Sequence, residues 1–215
     1  MRAIETEYNG YKFRSRLEAR WAVFFDAAGV RYEYEPEGFE VIWGEGEVYR
    51  YLPDFYLPDF DVYVEVKPSK RKLIEDQEKI SMCIDYGQTP ISHSNGLLIL
   101  GQIPYYDPWD KENVPAFNLL WWDSGVLSGL AEFVSAERTE LILEKDMCYG
   151  VSSAPELPEL LSGEGLIFRK KGIGIRDNNG LYWYLSNGSQ RESAEKLARC
   201  FLKARQARFE HGETP

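Results

Sequence analysis

Four residues carry the chemistry this sequence offers: Glu18, Asp54, Glu65 and Lys67. Glu65 and Lys67 lie in the segment Asp61–Lys67, where Val62, Val64 and Val66 alternate with Tyr63, Glu65 and Lys67. Side chains repeat every second residue along a strand, so Glu65 and Lys67 share one face. Asp54 opens a shorter strand, Phe55–Leu57, joined to the first by the turn Pro58-Asp59-Phe60. If the two strands pair through that turn, Asp54 comes alongside Glu65. Two carboxylates that close need a cation. Oxygen donors without His or Cys match magnesium, with manganese as its substitute. Lys67, two residues beyond Glu65, adds a positive charge beside the attacking water. Metal ions held by carboxylates activate water and stabilise the charge that develops on a phosphodiester.

The elements that must position these groups are legible over the first hundred residues. Ser15 to Ala28 is predicted as a helix that carries Glu18, with Leu17, Trp21, Phe24, Phe25 and Ala28 recurring on one face. Ser15-Arg16-Leu17-Glu18 has capping-box form and Gly29 is a suitable stop. Val30 to Tyr34 alternates as a half-buried strand, and Phe39–Trp43 and Val48–Leu52 read as two strands around Gly44-Glu45-Gly46. A second helix is expected from Lys70 to Tyr86, closed by Gly87, followed by a buried strand at Gly96–Leu100. Beyond that the pattern weakens. The spacing predicts a Pro-rich aromatic loop over 104–115, a strand at Phe117–Trp122 and a helix over 137–148. It further predicts a linker over 150–165, short strands over 166–185 with a turn at Asn178-Asn179-Gly180, and a final helix over 193–209.

Read together, Phe13-Arg14-Ser15-Arg16-Leu17-Glu18, Val30-Arg31-Tyr32-Glu33-Tyr34-Glu35, Tyr51-Leu52-Pro53-Asp54-Phe55-Tyr56-Leu57-Pro58 and Val64-Glu65-Val66-Lys67-Pro68 resemble the PD-(D/E)xK nuclease superfamily. Within it they are most similar to the phage endonuclease I resolvases and the TnsA-type transposon endonucleases. The resemblance spans about residues 8–100. It implies an α/β fold with a restriction-endonuclease-like core over residues 1–103, a mixed central sheet flanked by helices; residues 104–215 lie outside the resemblance and are expected from their own pattern to form an α+β C-terminal extension. It implies that Asp54 and Glu65 are metal ligands, that Glu18 completes the metal site and that the Val66 carbonyl contributes to it. It implies that Lys67 positions or polarises the water. The implied activity is magnesium-dependent hydrolysis of DNA phosphodiesters, by structure-selective cleavage and with a dimer or a recombination-complex partner. A RecB-like exonuclease is the nearest rival, but Gln77 is followed by Ser81 where that helix signature needs Tyr.

Plainer readings stand beside these. Glu18 is also the N3 member of a capping box with Ser15, a role that competes with metal binding. Asp54 is also a turn residue after proline, as Asp59 is read to be. Glu65 and Lys67 also fit a solvated strand face with cross-strand charge pairing. Lys12, Arg14, Arg16 and Arg20, and the run Lys70, Arg71 and Lys72, flank the proposed site as candidate DNA-phosphate contacts.

Composition limits the field. With 25 basic against 35 acidic residues the net charge is −10, so any DNA surface must be a local patch. That charge also leaves open a non-catalytic DNA-binding or DNA-mimic protein on a nuclease-derived fold. Cys83, Cys148 and Cys200 form no paired-cysteine metal motif, and free thiols match a reducing, cytoplasmic interior, which the resemblance implies is that of a bacterial or phage-infected cell. His93 and His211 are the only histidines, which removes His-rich metal sites. No apolar run approaches the ~20 residues a membrane span needs.

Overall fold

The computed structural model describes residues 4–43, 46–85, 89–107, 114–122, 126–135, 139–150, 166–169 and 188–209. The chain starts with a hairpin, β1 (Thr6–Tyr8) and β2 (Tyr11–Phe13), in register Tyr8 opposite Tyr11. Asn9 and Gly10 at its tip have φ +49 and +82, and a two-residue turn of this hand needs positive φ at both positions. The Asn-Gly pair is the sequence signal for this hairpin, which was not among the expected elements.

Helix α1 (Arg16–Ala28) follows, capped by Ser15 and stopped by Gly29 in the left-handed region. Strand β3 covers only Glu33–Tyr34, shorter than the alternation over Val30–Tyr34 predicts. Among the described residues it pairs with the short β6 (Phe55–Leu57) alone, through a two-residue ladder. Strands β4 (Phe39–Trp43) and β5 (Glu47–Tyr51) make the expected hairpin. Next come β7 (Val62–Val66), α2 (Lys70–Asp85), the single turn α3 (Pro90–His93) and β8 (Leu97–Leu100).

The later segments are more extended than expected. Strand β9 runs from Val114 to Trp122, β10 covers Val126–Ser135, β11 Thr139–Gly150 and β12 Leu166–Arg169. The helix expected over 137–148 is therefore a strand from Thr139 onward, and residues 137 and 138 lie outside the described residues. Leu141-Ile142-Leu143 is a short apolar run that fits either period, and the long ladder with β10 decides it. The final helix, α4, spans Gly188–Gln206, starting earlier and ending earlier than predicted. Of the expected linker 150–165, Gly150 ends β11 and the remainder lies outside the described residues, as do Gly44, Glu45, Gly87 and the turn Asn178-Asn179-Gly180.

The main sheet is mixed, in the order β11-β10-β9-β8-β7-β6-β3, with β12 added along β9. Strands β7 and β8 are parallel, joined across α2 and α3, and the other pairings are antiparallel. β8 is buried along its whole length, as its unbroken Leu-Leu-Ile-Leu requires. Leu98 and Leu100 join the core with α1 and α4, whereas Leu97 and Ile99 join a second core with α2 and the β4–β5 hairpin. The sheet is thus sandwiched between helical layers. The sequence boundary after residue 103 falls between β8 and β9, which pair directly, and Phe201 of α4 stacks on Phe24 of α1 at 4.5 Å. No helix of the described residues is long and apolar enough to cross a membrane.

Candidate active site

The pairing of β6 with β7 sets Phe55 opposite Val64, which carries Asp54 to the position beside Glu65. Asp54 is fixed by backbone and side chain together: its N–H donates to the Val64 carbonyl at 3.1 Å, and Oδ2 accepts the Val66 N–H at 2.7 Å. This is the juxtaposition the turn predicts. Asp54 and Glu65 are both buried, at 5% and 7% exposure. Burial, then the charges of Glu65 and Glu18, push the Asp54 carboxyl well above its ordinary range, and the Val66 N–H and Arg14 oppose that only in part.

Glu65 accepts a hydrogen bond from Tyr51 Oη at 2.6 Å and an ion pair from Lys67 Nζ at 2.7 Å. Tyr51 ends β5 and is buried against α2, and its phenol is pushed up by burial and then by the Glu65 charge. Lys67 shares the Glu65 face, as the strand period predicts, and its ammonium also pairs with Asp76 Oδ2 at 2.6 Å. Burial alone lowers the lysine pKa, but Glu65 and Asp76 more than offset it, so the pKa ends above its ordinary value. Lys67 is thus held as a positive charge between two carboxylates.

Glu18 sits in the first turn of α1. One oxygen accepts the Ser15 hydroxyl at 2.6 Å, and the other accepts Tyr34 Oη at 2.8 Å and the Arg14 N–H at 3.1 Å. The Ser15 hydroxyl in turn accepts the Glu18 N–H at 3.2 Å. Ser15 caps the helix, but the Glu18 carboxylate takes the Ser15 hydroxyl and the Arg14 N–H in place of the Ser15 N–H, so only half of the expected capping box is present. Glu18 lines the same cavity as Asp54, Glu65, Val66 and Lys67. The cavity measures about 310 Å³ and is also lined by Arg14, Tyr51, Asp76 and Lys79.

The expected DNA contacts divide. Arg14 turns into the cavity and pairs with Asp54 and Glu35. Lys12 pairs with Glu5 at 2.9 Å, and Arg71 and Lys72 both pair with Glu75. Arg16 and Arg20 lie on α1, where Arg20 Nε is buried without a hydrogen-bond partner among the described residues. Lys70 is the first residue of α2. Asp59, read from sequence as a turn residue, pairs with Arg31 and lies off the cavity.

Asp76, Tyr34 and Tyr51 were not expected at the site. Asp76 had a signal: it interrupts the apolar stripe of α2 formed by Leu73, Ile80 and Ile84. A carboxylate in such a stripe needs a buried partner, and Lys67 is that partner.

Asp54 and Glu65 suit a hard divalent cation by donor chemistry. They are buried oxygen donors, and the charge of one raises the pKa of the other. Among the described residues no three His, Cys, Asp or Glu side chains already converge as a metal cage. Glu18 in particular is committed to Ser15, Tyr34 and the Arg14 N–H. Comparison with protein-family models, with curated proteins and with solved structures finds no match to this chain.

Proposed function

We propose that the chain is a magnesium-dependent deoxyribonuclease that hydrolyses phosphodiester bonds, acting as a structure-selective endonuclease on branched DNA. One observation carries this reading: Asp54, Glu65 and Lys67 stand side by side at the end of the β6–β7 ladder, facing a cavity that Glu18 also lines. The sequence likeness to the PD-(D/E)xK nucleases supports the same roles, and its resolvase-like character supports the choice of branched substrate. A restriction-endonuclease-like arrangement of the core belongs to the same proposal.

Asp54 and Glu65 would hold the divalent cation, with manganese as a substitute for magnesium. Such a cation supplies Lewis-acid charge for the phosphoryl oxygens. Lys67, paired on one side to Glu65 and on the other to Asp76, keeps a positive charge where negative charge builds in the transition state. Tyr51 and Asp76 keep Glu65 and Lys67 in place. Glu18 adds a third negative group to the cavity wall, and the Val66 N–H fixes one oxygen of Asp54.

The test is cleavage of end-labelled single-stranded, duplex, nicked, flapped and four-way-junction DNA, with magnesium, manganese or EDTA. The proposal predicts metal-dependent internal cuts, most of all in the junction. Products released one nucleotide at a time from ends would replace it with the exonuclease reading. No cutting by folded protein would overturn it, and retained DNA binding would then indicate a non-catalytic binder or a subunit that needs its partners.

A further inference from the structure

Arg14 behaves unlike the other cations near the site. Its guanidinium pairs with Asp54 Oδ1 at 2.9 Å and with Glu35 Oε1 at 2.6 Å. Its backbone N–H bonds Glu18 Oε2 at 3.1 Å and Tyr34 Oη at 2.9 Å. One residue therefore touches two of the carboxylates that face the cavity. Asp54 Oδ2 is already bound to the Val66 N–H at 2.7 Å, so Oδ1 is the oxygen left for a cation, and Arg14 sits on it. Lys67, the neighbouring ammonium, pairs with Glu65 and Asp76. A buried carboxylate demands a compensating positive charge, and Arg14 supplies it for Asp54.

The pair is asymmetric in a useful way. The Asp54 side chain is 8% exposed and the Arg14 side chain 54%. The carboxylate is fixed by its strand, and the guanidinium reaches it from solvent. An incoming cation can take the place of the exposed guanidinium without leaving the buried carboxylate uncompensated, because it brings the charge that Asp54 demands. The second anchor, Glu35, is itself tied to Asp54, because the Glu35 N–H donates to the Asp54 carbonyl at 2.9 Å. Glu35 holds this place at φ +45, a left-handed conformation that non-glycine residues seldom adopt.

We propose that Arg14 is the resident counter-cation of Asp54: it neutralises the carboxylate when no metal is bound and gives up Oδ1 to an incoming divalent cation. Like charges cannot share one carboxylate oxygen without strong repulsion, so the two occupants exclude each other. The released guanidinium, still near Glu35 at the cavity mouth, is placed to take a DNA phosphate oxygen, for which its fork is suited. The inference rests on reading Asp54 as a cation ligand.

Calorimetric titration with Mn2+ alone tests it on the full chain and its Arg14→Gln, Arg14→Lys and Asp54→Asn variants. Arg14→Gln is expected to bind Mn2+ about tenfold more tightly, because one partly solvated competitor is gone. Arg14→Lys keeps the competing charge and stays within about twofold of the parent. Unchanged or weaker Mn2+ binding in Arg14→Gln overturns the proposal. If Asp54→Asn binds Mn2+ as well as the parent, or the parent binds none, the reading of Asp54 fails first and takes the proposal with it. Should Arg14→Gln not fold, the unaltered protein still decides. The signal of the Arg14 Nη2 protons, the donor to Asp54 Oδ1, is expected to shift in a proton–nitrogen NMR spectrum on saturation with Mg2+, and a stationary signal refutes displacement.

Discussion

Val66 donates its backbone N–H to Asp54 Oδ2 at 2.7 Å, which binds the site's deepest carboxylate to the strand that carries Glu65 and Lys67. The chemistry and the fold share this bond. Register fixes it, since Phe55 opposes Val64 on the same ladder. A slip of one residue would send Glu65 and Lys67 to the opposite face.

The cost of holding Asp54 there is visible in its protonation. Burial raises its pKa above the ordinary 3.8, so between pH 3.8 and the raised value the folded state binds a proton that the unfolded state releases, and above that window Asp54 is the carboxylate that Arg14 pairs with. Stability from this group is fully present below pH 3.8 and is lost as pH rises toward the raised folded value. Asp54→Asn removes that loss. In EDTA, its melting temperature is expected to exceed the parent's at neutral pH, and the gap to narrow toward pH 4 in a thermal-melt series.

The last helix belongs to the core. Phe201 is 1% exposed and stacks on Phe24, and Trp21 and Tyr106 meet it edge-on. Phe201→Ala is expected to cost about 3–5 kcal/mol in denaturant unfolding, with a single transition. Two separated transitions would show instead that α4 folds apart from the sheet.

Gly96 admits no side chain. It has φ +128, and a Cβ there would lie 2.3 Å from the Leu120 carbonyl oxygen of the neighbouring strand. Gly96→Ala combines backbone strain with a clash against backbone and is expected to cost about 3 kcal/mol or more. A loss under about 1 kcal/mol would mean that β8 and β9 are not held this closely.

Cys83 and Cys200 are buried, at 0% and 4% exposure, and burial pushes the Cys83 thiol up to about 12. Neither is a reactive thiolate at neutral pH. Peptide mapping after brief iodoacetamide treatment is expected to show both unmodified in folded protein and modified in denaturant.

The juxtaposition of Asp54, Glu65 and Lys67 was legible in the sequence because these three are local, whereas Glu18 comes from a distant helix and was named through the family resemblance. Alternation over Val62–Lys67 fixes which groups share a face, and the turn at Pro58 fixes which carboxylate joins them. Tyr34, Tyr51 and Asp76 come from three other elements, and no local period reports which side chain from elsewhere will close a site. The same limit explains the strand at Thr139–Gly150, where a short apolar run took its conformation from the neighbouring β10. The fold was clearest where one period dominated, as in α1, β7 and β8. The hairpin at Asn9-Gly10 carried a turn signal, but with strands of three residues on each side it had little periodicity to set beside it. Arg14 was read from its charge as a phosphate contact, and its pairing with Asp54 and Glu35 is a further relation between elements that no local pattern reports.

The most direct test of the account compares the parent with Asp54→Asn, Lys67→Ala and Asp59→Ala on a labelled four-way junction in magnesium. Asp59 is the control: it follows a proline as Asp54 does, yet pairs with Arg31 away from the cavity. The account predicts cutting by the parent and by Asp59→Ala, and a loss of about 100-fold or more in the other two. Equal cutting by all four proteins would contradict it, and so would the same rate in EDTA.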